Sequence, residues 1–163
     1  MRLPDLKGAE EMRQFFRQFV ICLSIFLGMS SAFAAPADDA LAVLTSWEKD
    51  FNAGNVSSIV GLYTPDATVF GTLNPAVTSG ADGIKNYFAA SAKNKTQVKF
   101  VGNPAVVKIS DVAMVLSGIY EFTGTRADGQ NFTAPARYSF VVARVDGQWR
   151  IIHQHSSPQP KPQ

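Results

Sequence analysis

The chain has 163 residues, of which 46% are hydrophobic and 17% charged, and its formal net charge is +2. A chain of this length and composition can bury one hydrophobic core, so the sequence predicts one folded domain and excludes intrinsic disorder. The net charge is small and no basic cluster carries interleaved aromatic residues. The sequence therefore supports neither nucleic-acid binding nor binding to a membrane surface.

The first residues are typical of an export signal. Basic residues precede an apolar run at residues 19–29, and small residues follow at the positions that signal peptidase recognises, with cleavage expected near Ala34/Ala35. The run is far shorter than the roughly 20 apolar residues that a membrane-spanning helix needs. We therefore expect residues 1–34 to be removed and the mature protein to be periplasmic or secreted, with no membrane attachment.

Three helices are predicted before most of the sheet. Two aspartates favour the start of the first helix, Asn55 is expected to cap the second, and Ser79-Gly80 precedes the third. Apolar residues recur at three- and four-residue steps, and Pro65 prevents the second helix from continuing. The predicted helices run from Asp38 to about Asn52, from Val56 to Tyr63, and from Gly80 to just before Asn94.

Six segments carry the β-branched and aromatic residues of strands, with turn residues between them. They are Ala67–Leu73, Val98–Val101, Ala105–Ile109, Val112–Phe122, Phe132–Val145 and Gln148–Ser156. Helices first and strands afterwards indicate an α+β fold, in which N-terminal helices pack on one face of a curved antiparallel sheet. We expect one domain at residues 35–157 and a disordered tail at residues 158–163.

Asp146-Gly147 predicts a tight turn between the last two strands. A type I′ turn needs positive φ at both central residues, which Asp-Gly tolerates, so these strands should form a hairpin. Alternation puts Arg137 and Ser139 on one face of the first strand and Tyr138 on the other. On the second strand the same count puts four residues on one face, namely Trp149, Ile151, His153 and His155. Which faces of the two strands match depends on the register, which the sequence does not determine.

Four segments follow one another in a recognisable order: WEKDFNAGN at residues 47–55, LYTPDA at 62–67, residues 80–88, and DGQWRIIHQHSS at 146–157. The first three resemble the nuclear transport factor two-like superfamily of cone-shaped domains. The last is similar to the SnoaL-like and SgcJ/EcaC group, which is related to the calcium/calmodulin-dependent protein kinase II association domain. The resemblance implies the cone fold over about residues 38–157. It does not give a reaction, because the superfamily contains isomerases, dehydratases, hydrolases, transport factors and oligomerisation modules.

His153 and His155 are the only histidines in the chain. At positions i and i+2 of a strand their side chains would share a face about 7 Å apart, close enough to line one pocket. A zinc site would need a third ligand, and the one cysteine, Cys22, lies in the predicted export signal, so we expect neither a metal nor another cofactor. One interpretation is two neutral imidazoles that hydrogen-bond to neighbours. The other makes His155 or His153 a general base.

Arg137 is the main candidate for ligand binding, together with Ser139. The resemblance implies that Arg137 points into the cone, because the order arginine, aromatic, serine, phenylalanine at residues 137–140 recurs in this group and arginines line the cavity of the kinase association domain. Its guanidinium would suit a carboxylate or another planar anion. Four aromatic residues are expected to wall the same cavity, namely Tyr63, Trp47, Tyr120 and Tyr87.

The sequence thus predicts a domain that binds an unidentified small polar or anionic molecule, forms an assembly, or does both. The kinase relatives use this domain for assembly, and we expect a homodimer through the outer sheet face. If Arg137 points into the cone, Phe140 and Val142 lie on that outer face and need cover. The alternative is a lyase or isomerase in which His155 is the general base and Arg137 stabilises the developing anion.

Overall fold

The computed structural model describes residues 35–161. Its elements, in chain order, are α1 Ala35–Asn52, α2 Val56–Gly61, β1 Tyr63–Phe70, β2 Thr78–Ser79, α3 Gly80–Lys93, β3 Gln97–Ser110, β4 Ala113–Thr125, β5 Asn131–Val145 and β6 Gln148–Pro158. The predicted export segment at residues 1–34 lies outside the described residues. Within the described part, no helix is both long and apolar enough to cross a membrane.

The strands form one sheet in the order β2-β1-β6-β5-β4-β3. Neighbouring strands are antiparallel except β1 and β6, which are parallel. The predicted α+β fold with a curved sheet is therefore confirmed, although the sheet is mixed and not purely antiparallel. Strands β3 to β6 are joined by short turns that force antiparallel pairing. Strand β1 reaches β6 from the other end of the chain, so no hairpin constrains its direction.

The second helix begins where the sequence predicts and ends earlier. The side chain of Asn55 accepts a hydrogen bond from a backbone amide of the first turn of α2 at 3.3 Å. The helix ends at Gly61, whereas Tyr63, predicted as its last residue, begins β1 and pairs with Ile151 of β6. Pro65 prevents the helix from continuing through these residues. Pairing with β6 satisfies their backbone groups instead.

Strand β3 is one long strand where two short strands were predicted. Its pairing with β4 changes register between Val101 and Ala105. Gly102 lies in this interval with a φ of 70°, a conformation that residues with a side chain rarely adopt. The break suggested by Asn-Pro in the sequence is therefore an irregularity within β3, which tolerates proline because it is an edge strand.

The hairpin between β5 and β6 has the predicted turn. Asp146 and Gly147 have φ values of 51° and 79°, and Val145 pairs directly with Gln148. The last strand runs to Pro158, so backbone pairing continues into the segment predicted as a disordered tail.

A β-bulge in β6 reverses the alternation that the sequence suggests. Val142 of β5 pairs with Ile151, but the preceding residue, Val141, pairs with His153. Ile152 is therefore an extra residue on β6 without a partner on β5. Because strand side chains alternate with a period of two, one extra residue sends every later side chain to the opposite face.

The bulge decides which residues of β6 face the helices. Gln154 and Ser156 lie on the inner face and are 2% and 4% exposed. His153 is half-buried and His155 exposed, and both lie on the outer face. The prediction that these histidines share a face with Ile151 is therefore wrong.

Strand β5 turns its aromatic side chains toward the helices. Tyr138, Phe140 and Val142 are buried, and Arg137 is exposed. The predictions that Arg137 points into the cone and that Phe140 and Val142 lie on the outer face are both wrong. Apolar side chains gain free energy from cover by the helices, whereas an arginine buried there without an acidic partner would be costly.

Trp47 occupies the centre of the core between α1 and the inner face of the sheet. It is 1% exposed, and its ring centroid lies 5.4 Å from that of Phe140 and 6.1 Å from that of Tyr120. Further along α1, the side chain of Asn52 exchanges two hydrogen bonds with the backbone of Val98, at 2.7 and 2.9 Å. These contacts fix α1 against the sheet and define one wall of the interior.

Candidate ligand-binding cavity

A cavity of about 800 Å³ lies between α1, α3 and the inner face of the sheet. Polar side chains form one end, and exposed residues on α3, after β1 and between β4 and β5 form its mouth. Seven of the described residues that line the cavity are aromatic, namely Trp47, Phe51, Tyr87, Phe88, Tyr120, Phe122 and Phe132. A cavity of this size and composition is typical of sites for small organic molecules.

A directional chain of hydrogen bonds orients one polar group of the cavity. The indole N–H of Trp47 donates to the hydroxyl of Tyr63 at 2.9 Å, and this hydroxyl donates to Oε1 of Gln154. An indole nitrogen can only donate, so the single hydroxyl hydrogen of Tyr63 is available for Gln154. Gln154 is therefore held with its amide oxygen toward Tyr63, which leaves its NH2 group free to point elsewhere.

Tyr120 completes this polar end. The residue is 0% exposed, and its hydroxyl has no hydrogen-bond partner of good geometry among the described residues. Burial raises the pKa of this hydroxyl well above its usual value, and the nearby side chains of Ser156, Gln154 and Thr72 offset only part of the increase. Thr72 and Ser156 are hydrogen-bonded to each other. A buried hydroxyl without a partner costs free energy, so a ligand group that bonds to it would be favoured.

Tyr87 brings a third tyrosine to the same region. A Cβ at Gly71 would lie 2.1 Å from the Tyr87 hydroxyl, so the tyrosine occupies space that a side chain at residue 71 would need. Burial raises the pKa of Tyr87, and a hydrogen bond from the backbone of Thr72 lowers it in part. Burial also raises the pKa of Tyr63. Like Tyr120, these tyrosines stay protonated and uncharged at neutral pH.

Arg126 is the one charged side chain among the described residues that line the cavity. It is exposed, at the mouth, with its guanidinium carbon 5.7 Å from the ring centroid of Phe132. None of the described residues that line the cavity is an aspartate, glutamate, histidine or lysine. The cavity therefore presents hydrogen-bond donors and apolar surface, and no side chain there titrates near neutral pH as a general base would.

The structure divides the predicted site residues between the two faces of the sheet. On the inner side, Trp47, Tyr87 and Tyr120 line the cavity and Tyr63 is buried behind it. On the outer face lie the other four, namely Arg137, Ser139, His153 and His155. The guanidinium of Arg137 donates to the Ser157 hydroxyl at 3.2 Å. These four residues therefore cannot contact a ligand in the cavity.

The two histidines belong to a cluster on the outer face. The ring centroid of Phe70 lies 6.3 Å from that of His153 and 6.1 Å from that of His155. Oγ1 of Thr68 is 2.8 Å from Nδ1 of His153. Burial lowers the pKa of His153, and the charge of nearby His155 lowers it further. Among residues 35–161, no three histidines, cysteines or acidic residues lie close enough together to hold a metal ion.

Sequence reasoning missed Gln154, Thr72 and Arg126 as cavity residues. Counting alternation from the apolar Ile151 sends the histidines inward and Gln154 outward, and only the bulge reverses this assignment. The adjacent apolar pair at residues 151 and 152 is the one local sign that the period of two is broken. Thr72 and Arg126 lie outside regular strands, where no periodicity indicates the direction of a side chain.

Comparisons with known proteins agree with this architecture. The family model of the calcium/calmodulin dependent protein kinase II association domain matches residues 37–160. A solved structure from Xanthomonas campestris, described as such a domain, is 31% identical, with a TM-score of 0.69 over 75% of this chain and 86% of that chain. No curated protein matches the sequence.

Two more distant structures share the fold. A nuclear transport factor 2-like superfamily protein from Salmonella enterica is 21% identical, with a TM-score of 0.71 over 81% of this chain and 96% of that chain. A ketosteroid isomerase-like protein from Erwinia carotovora atroseptica is 18% identical, with a TM-score of 0.65 over 76% and 96%. This fold is associated with ligand binding and with isomerase- and dehydratase-type enzymes. The family match spans most of the described residues, and the chain therefore belongs to the calcium/calmodulin dependent protein kinase II association domain family, with a nuclear transport factor 2-like fold.

Proposed function

We propose that the protein binds a small organic molecule in its inner cavity. The observation that carries this proposal is a cavity of about 800 Å³ with aromatic walls, next to the unpaired hydroxyl of Tyr120. Small-molecule sites typically combine apolar walls with a few convergent polar groups, and this cavity has both features.

Binding is better supported than catalysis by proton transfer. A lyase or isomerase that uses His155 and Arg137 needs both groups beside the substrate. Both lie on the outer face, so the sheet separates them from the cavity. Inside it, burial raises the pKa of Tyr120 and Tyr87, so these hydroxyls donate hydrogen bonds and do not act as bases at neutral pH.

Blocking the mouth of the cavity tests the proposal. Ala90 and Ala89 are adjacent, exposed residues of α3, and only Ala90 lines the cavity. We expect Ala90→Trp to weaken binding of the fluorescent probe 8-anilinonaphthalene-1-sulfonate by at least about tenfold, because the indole would occupy the space of the ligand. Ala89→Trp is the matched control and should bind the probe as the unmodified protein does. Equal affinities of the two variants in fluorescence titrations would contradict binding in the cavity.

We also propose that the outer sheet face forms a homodimer. Val107, Val115 and Val141 are aligned by register across β3, β4 and β5, and Val107 is 57% exposed. Ile109, farther along β3, is 61% exposed. Contiguous exposed apolar surface of this kind is typical of protein interfaces. The name of the family, an association domain, supports the same proposal.

A further inference from the structure

We infer that the cavity recognises an uncharged, planar aromatic molecule through a carbonyl oxygen that accepts hydrogen bonds from Tyr120 and Gln154. The inference rests on the proposed function and adds to it the chemical class of the ligand. Three features carry it: the direction of the hydrogen bonds, the distribution of charge and the aromatic wall.

The direction of the hydrogen bonds calls for a ligand atom that accepts. Trp47 donates to Tyr63, and Tyr63 donates to Oε1 of Gln154. The NH2 group of Gln154 therefore still has both of its hydrogens to donate. If this group points to the ligand, it can only donate. If it turns to the oxygen of Tyr120, the hydroxyl hydrogen of Tyr120 is left over, because the nearby hydroxyls of Thr72 and Ser156 are hydrogen-bonded to each other. In both arrangements the chain of bonds ends on a donor, and a carbonyl oxygen on the ligand completes it.

The distribution of charge calls for a ligand that is neutral at this end. Arg126 is the one charged side chain of the described lining, and it is exposed at the mouth. A carboxylate buried beside Gln154 and Tyr120 would have hydrogen bonds but no counter-charge, and desolvation of an unpaired ion is costly. A ketone or quinone carbonyl makes the same hydrogen bonds without that cost.

The wall of the cavity calls for a planar ring system. Trp47 and Tyr120 are parallel to within 9° with centroids 6.1 Å apart, and Phe122 packs against Tyr120 with centroids 4.7 Å apart. Phe51 lies 5.8 Å from Phe122, measured between centroids, and also lines the cavity. Aromatic faces and edges grouped in this way favour stacked and edge-to-face contacts with an aromatic ligand.

Three naphthalene probes test the inference. 2-Acetylnaphthalene has the carbonyl, 2-isopropenylnaphthalene replaces its oxygen with a CH2 group of similar shape, and 2-naphthoate replaces the ketone with a carboxylate. We expect the ketone to bind about fivefold or more tightly than either of the others in calorimetric or fluorescence titrations, since one net hydrogen bond of ordinary strength accounts for such a ratio. The infrared carbonyl stretch of the bound ketone should shift to lower frequency than in an apolar solvent.

Two conservative variants identify the donor. Tyr120→Phe removes the hydroxyl and keeps the ring, and it should abolish at least part of the preference for the ketone and reduce the infrared shift. Tyr138→Phe is the matched control, because Tyr138 is also buried but does not line the cavity. It should retain both the preference and the shift. Tyr63→Phe should also weaken the preference for the ketone, although residue 63 does not line the cavity. Without the Tyr63 hydroxyl, Gln154 is free to turn its amide oxygen toward the ligand.

The outcomes separate this inference from the proposed function. If the hydrocarbon and the ketone bind equally, and Ala90→Trp weakens both, the cavity is a binding site but the assignment of a carbonyl is wrong. Tighter binding of 2-naphthoate than of the ketone would overturn the assignment of a neutral ligand. If none of the three probes binds, or if Ala90→Trp has no effect on them, both the inference and the proposed function are overturned. A ketone preference that disappears in Tyr120→Phe and persists in Tyr138→Phe supports the inference.

Discussion

Tyr87 reaches the polar end of the cavity because residue 71 has no side chain. A Cβ at Gly71 would lie 2.1 to 2.3 Å from three atoms of the tyrosine. Contacts this short cannot persist, and a tyrosine ring packed against neighbours cannot bend away as the end of a lysine could. The cavity therefore depends on a glycine that the sequence alone does not distinguish from other loop glycines.

Gly71→Ala should lower the free energy of unfolding by about 1–3 kcal/mol, the usual range for a side chain inserted into packed space. Urea denaturation measures the change. Gly61→Ala is the control: its Cβ would meet no atom within 4 Å, and Gly61 lies in α2. Alanine there should leave stability unchanged or raise it by up to about 1 kcal/mol. Similar losses in both variants would contradict the packing of Tyr87 on Gly71.

His153 makes stability depend on pH on the acidic side of neutrality. Burial first, and the charge of His155 second, lower its pKa below the ordinary value of 6.5. The unfolded chain then binds a proton at a higher pH than the folded protein does. The stability conferred by the neutral imidazole is present above pH 6.5 and is lost as the pH falls through the lowered pKa.

We expect the melting temperature to fall as the pH decreases from about 7.5 to about 5, and His153→Gln to show a smaller fall. Thermal unfolding of both proteins at matched ionic strength measures the difference. The same fall in the variant would mean that other groups cause the dependence on pH.

At the scale of single residues, the sequence predicts local backbone conformation but not the face of the sheet on which a side chain lies. The positive φ values of Asp146 and Gly147 and the cap by Asn55 follow from the preferences of those residues alone. The direction of Arg137 depends on which face the helices cover, which is a property of the whole sheet. Tyr120 was expected at the cavity on the grounds of residue type, and it lines the cavity.

At the scale of elements, the bulge in β6 decides which of its side chains face the cavity. One unpaired residue, Ile152, separates the inward Ile151 from the inward Gln154. In a regular strand of the same sequence, with Ile152 paired and no bulge, the histidines would face the core and Gln154 would face outward. The polar end of the cavity therefore depends on a backbone irregularity, which a period of two cannot reveal.

Deletion of Ile152 should still allow the protein to fold with Gln154 inside and the histidines outside, because it makes Val142–Ile151 and Val141–His153 successive pairs of a regular ladder. Ile152→Val keeps the bulge and changes a residue that is 37% exposed, so it should cost less than about 1 kcal/mol. Circular dichroism and chemical denaturation compare the two. A deletion variant that does not fold would contradict the pairing of Val141 with His153 and of Val142 with Ile151.

At the scale of the whole molecule, the sheet separates two surfaces with different chemistry. The inner face, covered by helices, encloses the cavity with Trp47 and Tyr120. The outer face carries the valine row at Val107, Val115 and Val141. We therefore propose that the ligand and a second copy of the chain bind on opposite sides of the sheet.

Val141→Lys should convert the proposed dimer to a monomer, because it places an unpaired charge in the valine row. Sedimentation velocity at micromolar concentration measures the change. Leu73→Lys is the control, since Leu73 is 90% exposed and lies at the mouth of the cavity, away from the outer face. A strictly monomeric unmodified protein under these conditions would contradict the proposed dimer.

The sequence by itself determined the α+β class, most helix and strand positions and the closing hairpin, because periodicity, capping and turn chemistry act between residues close in the chain. It also pointed to aromatic residues that line the cavity. Tertiary structure alone decided that β1 lies parallel to β6, that Gln154 replaces the histidines at the cavity, and that Arg137 faces outward. These features depend on strand register and on which face the helices cover, and both are set by contacts between residues far apart in the chain.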